Sequence, residues 1–322
     1  MLLRVSCVVG LLLPPLAAAR EPAKEGKSRT FRLTYAGTIT GLEPGKVVSV
    51  WLPVPQSSED QDVVIEKRFP QGVTETREPL YGNKMFYFEA RAREDGTIPY
   101  EVASRVTRRE VRGATDMKGG NPERVSRFLQ PDDLVPIGGK PLELIKGKKL
   151  PDDPMEKAKT FYEVVNNHMT YGKPEGKPWG RGDAEWACDS KTGNCTDFHS
   201  VFISLARSHK IPAKFEIGFS IPEKRGKGEV AGYHCWAKFR PSDKGWVPVD
   251  ISEANKVPKL KDYYFGNLTE DRVALTTGRD IDLVPKQKGK ALNFFVFPYA
   301  EVDGKPVDQS KIKKANAYED VD

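Results

Sequence analysis

Three residues in this chain have the types and order that a thiol nucleophile needs: Cys195, His234 and Asp250. Cys195 stands in Gly193-Asn194-Cys195-Thr196-Asp197-Phe198, His234 in Tyr233-His234-Cys235-Trp236, and Asp250 closes Gly245-Trp246-Val247-Pro248-Val249-Asp250. A thiol becomes a nucleophile as the thiolate, which an imidazole and a helix N-terminus both favour; the free pKa is about 8.5. The imidazole can then protonate a departing amine, and a carboxylate can fix its tautomer. That chemistry is acyl transfer.

The elements that must position these groups can be read from periodicity. Phe198, Val201, Phe202 and Leu205 recur at helical spacing, and Ile211-Pro212 ends the segment, so Cys195 opens a helix. Asn194 is the expected N-cap, and Asp197 three residues on can reach back as in a capping box. The first-turn N–H groups can stabilise a thiolate and donate to a tetrahedral oxyanion. Tyr233 to Phe239 alternates as a strand, placing His234 and Trp236 on one face and Cys235 on the other. A turn at Ser242-Asp243-Lys244-Gly245 and a return strand from Trp246 to Val249 would bring Asp250 beside His234.

Taken together, these motifs resemble the transglutaminase-like superfamily of papain-type cysteine enzymes in its bacterial branch. The resemblance rests on Gly-x-Cys-x-Asp opening a helix, Ala206-Arg207 and Lys210-Ile211-Pro212-Ala213-Lys214 closing it, His234-x-Trp236, and Gly245 to Asp250. It spans roughly Asp153 to Tyr264 well and the flanks loosely. It implies a Cys195-His234-Asp250 triad, a helix packed on an antiparallel sheet, and no metal or cofactor. Relatives often complete an oxyanion hole with a side chain from the segment before the nucleophile. Tyr171, Trp179 and Trp186 qualify here, for that role or for a substrate groove.

The remaining candidates have plainer readings. Asp197 is structural through the cap, His199 is a rival base one turn along the same helix, and His168 and His209 read as surface or helix-end residues. With Cys195 free, Cys188 and Cys235 are left as a pair that an oxidising compartment permits to join as a disulfide. Cysteine and histidine donors also fit zinc, but their spacing matches no established knuckle, and His234 and Cys235 should face opposite ways.

The 322-residue chain opens with Arg4, an apolar run through Leu13, and Ala17-Ala18-Ala19 before Arg20, the pattern of a secretory signal over 1–19. Its removal takes away Arg4 and lowers the formal net charge from +6 to +5. Charged residues of mixed sign make up 30% of the chain, so its field is diffuse; no nucleic-acid module and no transmembrane segment is expected. The expected localisation is secreted or periplasmic. Short strands separated by turn residues predict a β-sandwich of immunoglobulin-like outline over 28–113. A connector follows at 114–152, a transglutaminase-like unit at 153–300 and a polar, frayed tail at 301–322. Within the unit a helix is expected from Pro154 to His168, and a last strand from Leu292 to Tyr299.

The fold class expected is therefore α+β, a β-sandwich followed by a papain-like catalytic domain. The function expected is an exported cysteine enzyme acting on peptide or protein amides, cell-wall peptide included, as a peptidase or amidase or by cross-linking. The alternative is a catalytically inactive binding or scaffold protein of the cell envelope with the same fold.

Overall fold

The computed structural model describes residues 26–115, 122–176, 179–241 and 245–321. The expected signal segment with Cys7, and residues 242–244 where a turn was expected, lie outside them. The architecture is mixed α/β, with a strand-rich N-terminal region and a helical layer against a separate four-stranded sheet.

The N-terminal strands form where alternation predicts them. In Ser28–Ile39 the side chains of Phe31, Leu33, Tyr35 and Ile39 are buried, as the period-2 pattern requires. This strand pairs antiparallel along its whole length with Ile98–Arg109, which pairs in turn with Gln61–Phe69. A second antiparallel sheet contains Val47–Pro53, Lys84–Arg91 and Thr74–Arg77.

Both sheets also take strands from the far end of the chain, which corrects the expectation of a frayed tail. Ile312–Lys314 and Ala317–Asp320 pair with Ser28–Ile39, and Tyr299–Val302 pairs with Val47–Pro53. Only Ile312 and Tyr318 carry the apolar signal in the last two strands, and both are buried. The energetic reason for the pairing lies in the edge of Ser28–Ile39, whose N–H and C=O groups need a partner. The apolar run from Leu292 is not the expected strand either. It is irregular until Tyr299, with Leu292 making an isolated bridge to Ile281.

The other sheet runs Val247–Val249, Tyr233–Phe239, Ala213–Ser220, Arg272–Thr277, all antiparallel. Against it lies the Cys195 helix, Cys195–Ser208, flanked by the helices Pro154–His168, Ala184–Ser190 and Ile251–Lys256. Periodicity identified the apolar stripe of the Cys195 helix, yet every residue from Cys195 to Arg207 is buried. Its polar residues are matched one by one. Ser200 Oγ donates to the Thr196 carbonyl at 2.7 Å, and Arg207 reaches Asp132 at 2.6 Å and the Ala213 carbonyl at 3.0 Å. Phe198 and Phe202 are fully buried, so truncating either would cost about 3–5 kcal/mol.

Candidate active site

The helix that carries Cys195 begins as its cap chemistry dictates. Asn194 Oδ1 accepts from Thr196 N at 3.0 Å, while Asp197 Oδ2 accepts from Asn194 N at 2.9 Å. Asp197 does more than a cap needs, because its carboxylate also takes the Gly180 and Gly182 N–H groups at 2.9 Å each. It thereby ties the preceding loop over the helix start. Gly193 is required by this arrangement: a Cβ there would lie 2.6 Å from Asp197 Oδ2 and 2.7 Å from its Cβ. The Asn194 carbonyl takes the Asp197 and Phe198 N–H groups. The Cys195 N–H is left as the first-turn donor with no bond among the described residues.

His234 lies second in its strand, and Asp250 follows the short return strand. Ala237 faces Val249 in the register, so Asp250 falls diagonally across from His234. His234 Nε2 donates to Asp250 Oδ2 at 2.7 Å. The His234 ring favours the thiolate form of Cys195, and with Nε2 engaged by Asp250, Nδ1 is the nitrogen left over. Asp250 also caps the next helix: its Oδ1 accepts from Glu253 N at 3.1 Å and Ser252 Oγ at 3.0 Å. The capping and the histidine contact are made by the two oxygens of one carboxylate.

The electrostatics follow from this geometry. Burial works against the Cys195 thiolate, but bonds with Cys235 and His234 and the imidazolium charge outweigh it and lower the thiol to about 6. Burial likewise opposes charge on His234, and Asp250 and Cys195 overcome it, raising the ring to about 10. Asp250, though buried, is held well below the usual carboxylate range by His234 and Arg272. The favoured state is a thiolate–imidazolium pair backed by a carboxylate.

His199 does not join this set as a base. Its Nδ1 bonds the Cys195 carbonyl at 2.7 Å and its Nε2 accepts from Ile251 N at 3.1 Å. Burial pushes it down to about 4, so it is a neutral brace between two helices. His168 bonds the Cys188 carbonyl at 2.8 Å, and His209 bonds Leu205 O at its helix end.

The cysteines correct one expectation: Cys188, Cys195 and Cys235 are all free, so Cys188 and Cys235 are not joined. Cys235 turns toward the Cys195 helix, where its Sγ lies 3.7 Å from His199 Nδ1. Cys188 is buried in the helix Ala184–Ser190, and burial pushes its thiol up to about 12. Strand alternation alone did not show which partner the inward face would meet.

A cleft of about 350 Å³ opens beside His234, lined by Tyr171, Tyr233, Glu253, Lys256 and Arg272 among others. Cys195 itself is only 2% exposed. Of the three oxyanion or groove candidates, Tyr171 reaches this cleft, its ring under Lys256 Nζ at 4.0 Å. Trp179 is exposed, with Lys173 over its ring, and Trp186 packs half-buried on the core. Tyr233 and Arg272 were not anticipated. Tyr233 Oη accepts from the Asn194 side chain at 2.8 Å, joining the histidine strand to the helix cap. Its position beside His234 was the available signal; Arg272 had none.

A family model described as the transglutaminase-like superfamily matches residues 144–251. An uncharacterized protein of Haemophilus influenzae is 34% identical over 146 residues, which is 36% of this chain and 40% of that protein. In fold, the chain is similar to the crystal structure of a "Putative Cysteine Protease" from Cytophaga hutchinsonii. The TM-score is 0.57 at 14% identity, covering 92% of this chain and 99% of that one. The periplasmic domain of TgpA from Pseudomonas aeruginosa also matches, with a TM-score of 0.35 and 16% identity over 73% of this chain and 93% of that one. The stretch that holds the Cys195 helix, the His234 strand and Asp250 is accordingly a transglutaminase-like superfamily domain, carried by this chain.

Proposed function

We propose that this protein is a cysteine acyl-transfer enzyme acting on amides of peptides or proteins, with Cys195 as nucleophile, His234 as acid and base, and Asp250 as the group that orients the imidazole. The observation that carries it is the 2.7 Å bond from His234 Nε2 to Asp250, beside a Cys195 thiol that the same ring helps to lower to about 6.

Cys195 Sγ attacks the amide carbonyl carbon, forming the S–C bond and a tetrahedral oxyanion that the Cys195 N–H faces at the helix start. Collapse breaks the C–N bond, and the electron pair leaves with the amine, which takes the His234 proton. Water or a second amine then attacks the thioester, His234 accepts its proton, and the S–C bond breaks to restore the thiolate. The first outcome is hydrolysis of a peptide or amide; the second is a cross-link. Cell-wall peptide is a substrate of the right chemistry for an exported enzyme, export being proposed from the leader pattern in residues 1–19. The strand-rich region, read as a sandwich of immunoglobulin-like outline, serves as scaffold.

A second reading, an inactive envelope binding protein, draws on the near-complete burial of Cys195. Alkylation of each cysteine, followed by peptide mass spectrometry from about pH 5 to 9, separates the two. Fast labelling of Cys195 that persists below the ordinary thiol range and weakens in His234→Ala supports the enzyme. Labelling that follows an ordinary thiol titration sinks it.

A further inference from the structure

We infer that Arg272 is a positioning residue for the proposed reaction: its guanidinium, laid on the Trp236 ring and bonded to Asp250 Oδ2, holds that carboxylate charged and aimed at His234. The inference rests on the reading of Cys195, His234 and Asp250 as the reacting set.

Arg272 is the first residue of its strand, paired with Ser220, and is 2% exposed. Its Nη1 donates to Asp250 Oδ2 at 3.0 Å, the same oxygen that receives His234 Nε2. Its Nη2 reaches Thr269 Oγ1 at 3.4 Å, and its Cζ lies 5.0 Å from the centre of the Trp236 ring. Trp236 is itself fixed, since its Nε1 donates to Glu216 at 2.7 Å. Asp250 is the only carboxylate that Arg272 meets in an ion pair among the described residues. The Arg272 Nε is buried without a hydrogen-bond partner. A buried cation with an unmet donor is expensive, and a purely structural need at this strand end would be met by an apolar side chain.

The arrangement alternates in sign: Arg272, Asp250, His234, Cys195. Asp250 thus has a second cation when His234 gives up its proton, and its plane is fixed from both oxygens. The other charged or titratable groups around it include His199, whose Nε2 is 3.9 Å from Asp250 Oδ1, Glu253, 3.8 Å from His234 Nε2, and Tyr162, Cys235, Lys256 and Tyr264, which feel the Asp250 charge. Beyond the Trp236 ring lies Arg108, at 5.9 Å. None of these replaces the Arg272 bond to Oδ2.

Removing a buried cation makes every nearby proton harder to lose, so the thiol should titrate at higher pH without it. The test is the thiolate ultraviolet absorbance of the full chain against pH, taken as a difference from Cys195→Ser, which requires no access to the buried sulfur. Arg272→Met is expected to raise the midpoint by about one pH unit and Arg272→Lys to restore most of it. Should the methionine variant not fold, Arg272→Gln, which keeps a donor without the charge, is read in the same way. A folded variant whose midpoint does not move overturns the inference, as does a lysine variant displaced as far as the methionine one. A wild-type midpoint in the ordinary thiol range overturns the enzyme reading itself, and this one with it.

Discussion

His234 and Lys238 project from the same face of one strand, with Trp236 between them, and each ends on a buried carboxylate. At the Lys238 end, Nζ bonds Asp60 and lies 3.6 Å from Glu216, which Lys214 meets at 2.9 Å. Burial opposes the charges on Asp60 and Lys238, yet attraction to Lys238 and Arg108 lowers Asp60, and attraction to Asp60 and Glu216 raises Lys238. Asp60, Glu216 and Lys238 keep their charge across the physiological range, so the cluster is a fixed joint between the N-terminal strands and the sheet. At the His234 end, the partners are a thiol and an imidazole at about 6 and about 10. Similar burial and the same strand therefore give a joint in one place and a proton-transfer site in the other. The difference lies in the chemistry of the side chains.

Substitutions can break this comparison at either end. Cys195→Ala is expected to lower turnover by at least about 1,000-fold in a chain that still folds, measured on any amide substrate found by screening. A folded variant with full activity would remove Cys195 from the chemistry. Lys238→Met should do the reverse. It leaves Asp60 and Glu216 short of a buried cation and should cost about 3 kcal/mol in denaturant unfolding, with the Cys195 labelling profile unmoved. A shifted profile would show that the two clusters are one.

A smaller effect sharpens the contrast through pH. His234, raised from 6.5 to about 10, contributes stability that is full below pH 6.5 and lost as pH rises through 10. Cys195, lowered from 9.0 to about 6, contributes stability that is full above pH 9.0 and lost as pH falls through 6. Between 6.5 and 9.0 the two slopes oppose each other, so wild-type stability should be nearly flat there. Cys195→Ser removes the rising slope and leaves the falling one, because Asp250 still favours the imidazolium. Urea melts of both proteins across that range would show it, and parallel curves would argue against the ion pair. Asn194→Ala, the mildest change, should cost about 1 kcal/mol through the lost cap, read as a lower thermal midpoint. A loss of several times that size would mean that the Asn194–Tyr233 bond, and not the cap, carries the position.

Much of the candidate site was legible because it is written in local rules. The Asn194 cap, the Asp197 arm, the helix from Cys195 and the strand from Tyr233 to Phe239 depend on near neighbours in the chain, and they occur where periodicity and cap chemistry place them. Asp250 was reachable too, since a short hairpin carries its register along. The two-sheet N-terminal pattern was visible as alternation, whereas the strands that complete both sheets from Tyr299 onward were not. Their own apolar signal is thin, and what orders them is a backbone edge far away in the chain.

What the sequence determined by itself is the thiol, the imidazole and the carboxylate, their order, and the elements that present them, because side-chain type and short-range periodicity are local properties. Only the tertiary structure decided that Cys235 turns toward His199 and Cys195 and stays apart from Cys188, that His199 is a neutral brace, and that Arg272 meets Asp250. Those outcomes depend on which groups the packing of helix on sheet brings within a few ångströms. Burial then sets the electrostatic cost of each, and that cost has no counterpart in the order of residues along the chain.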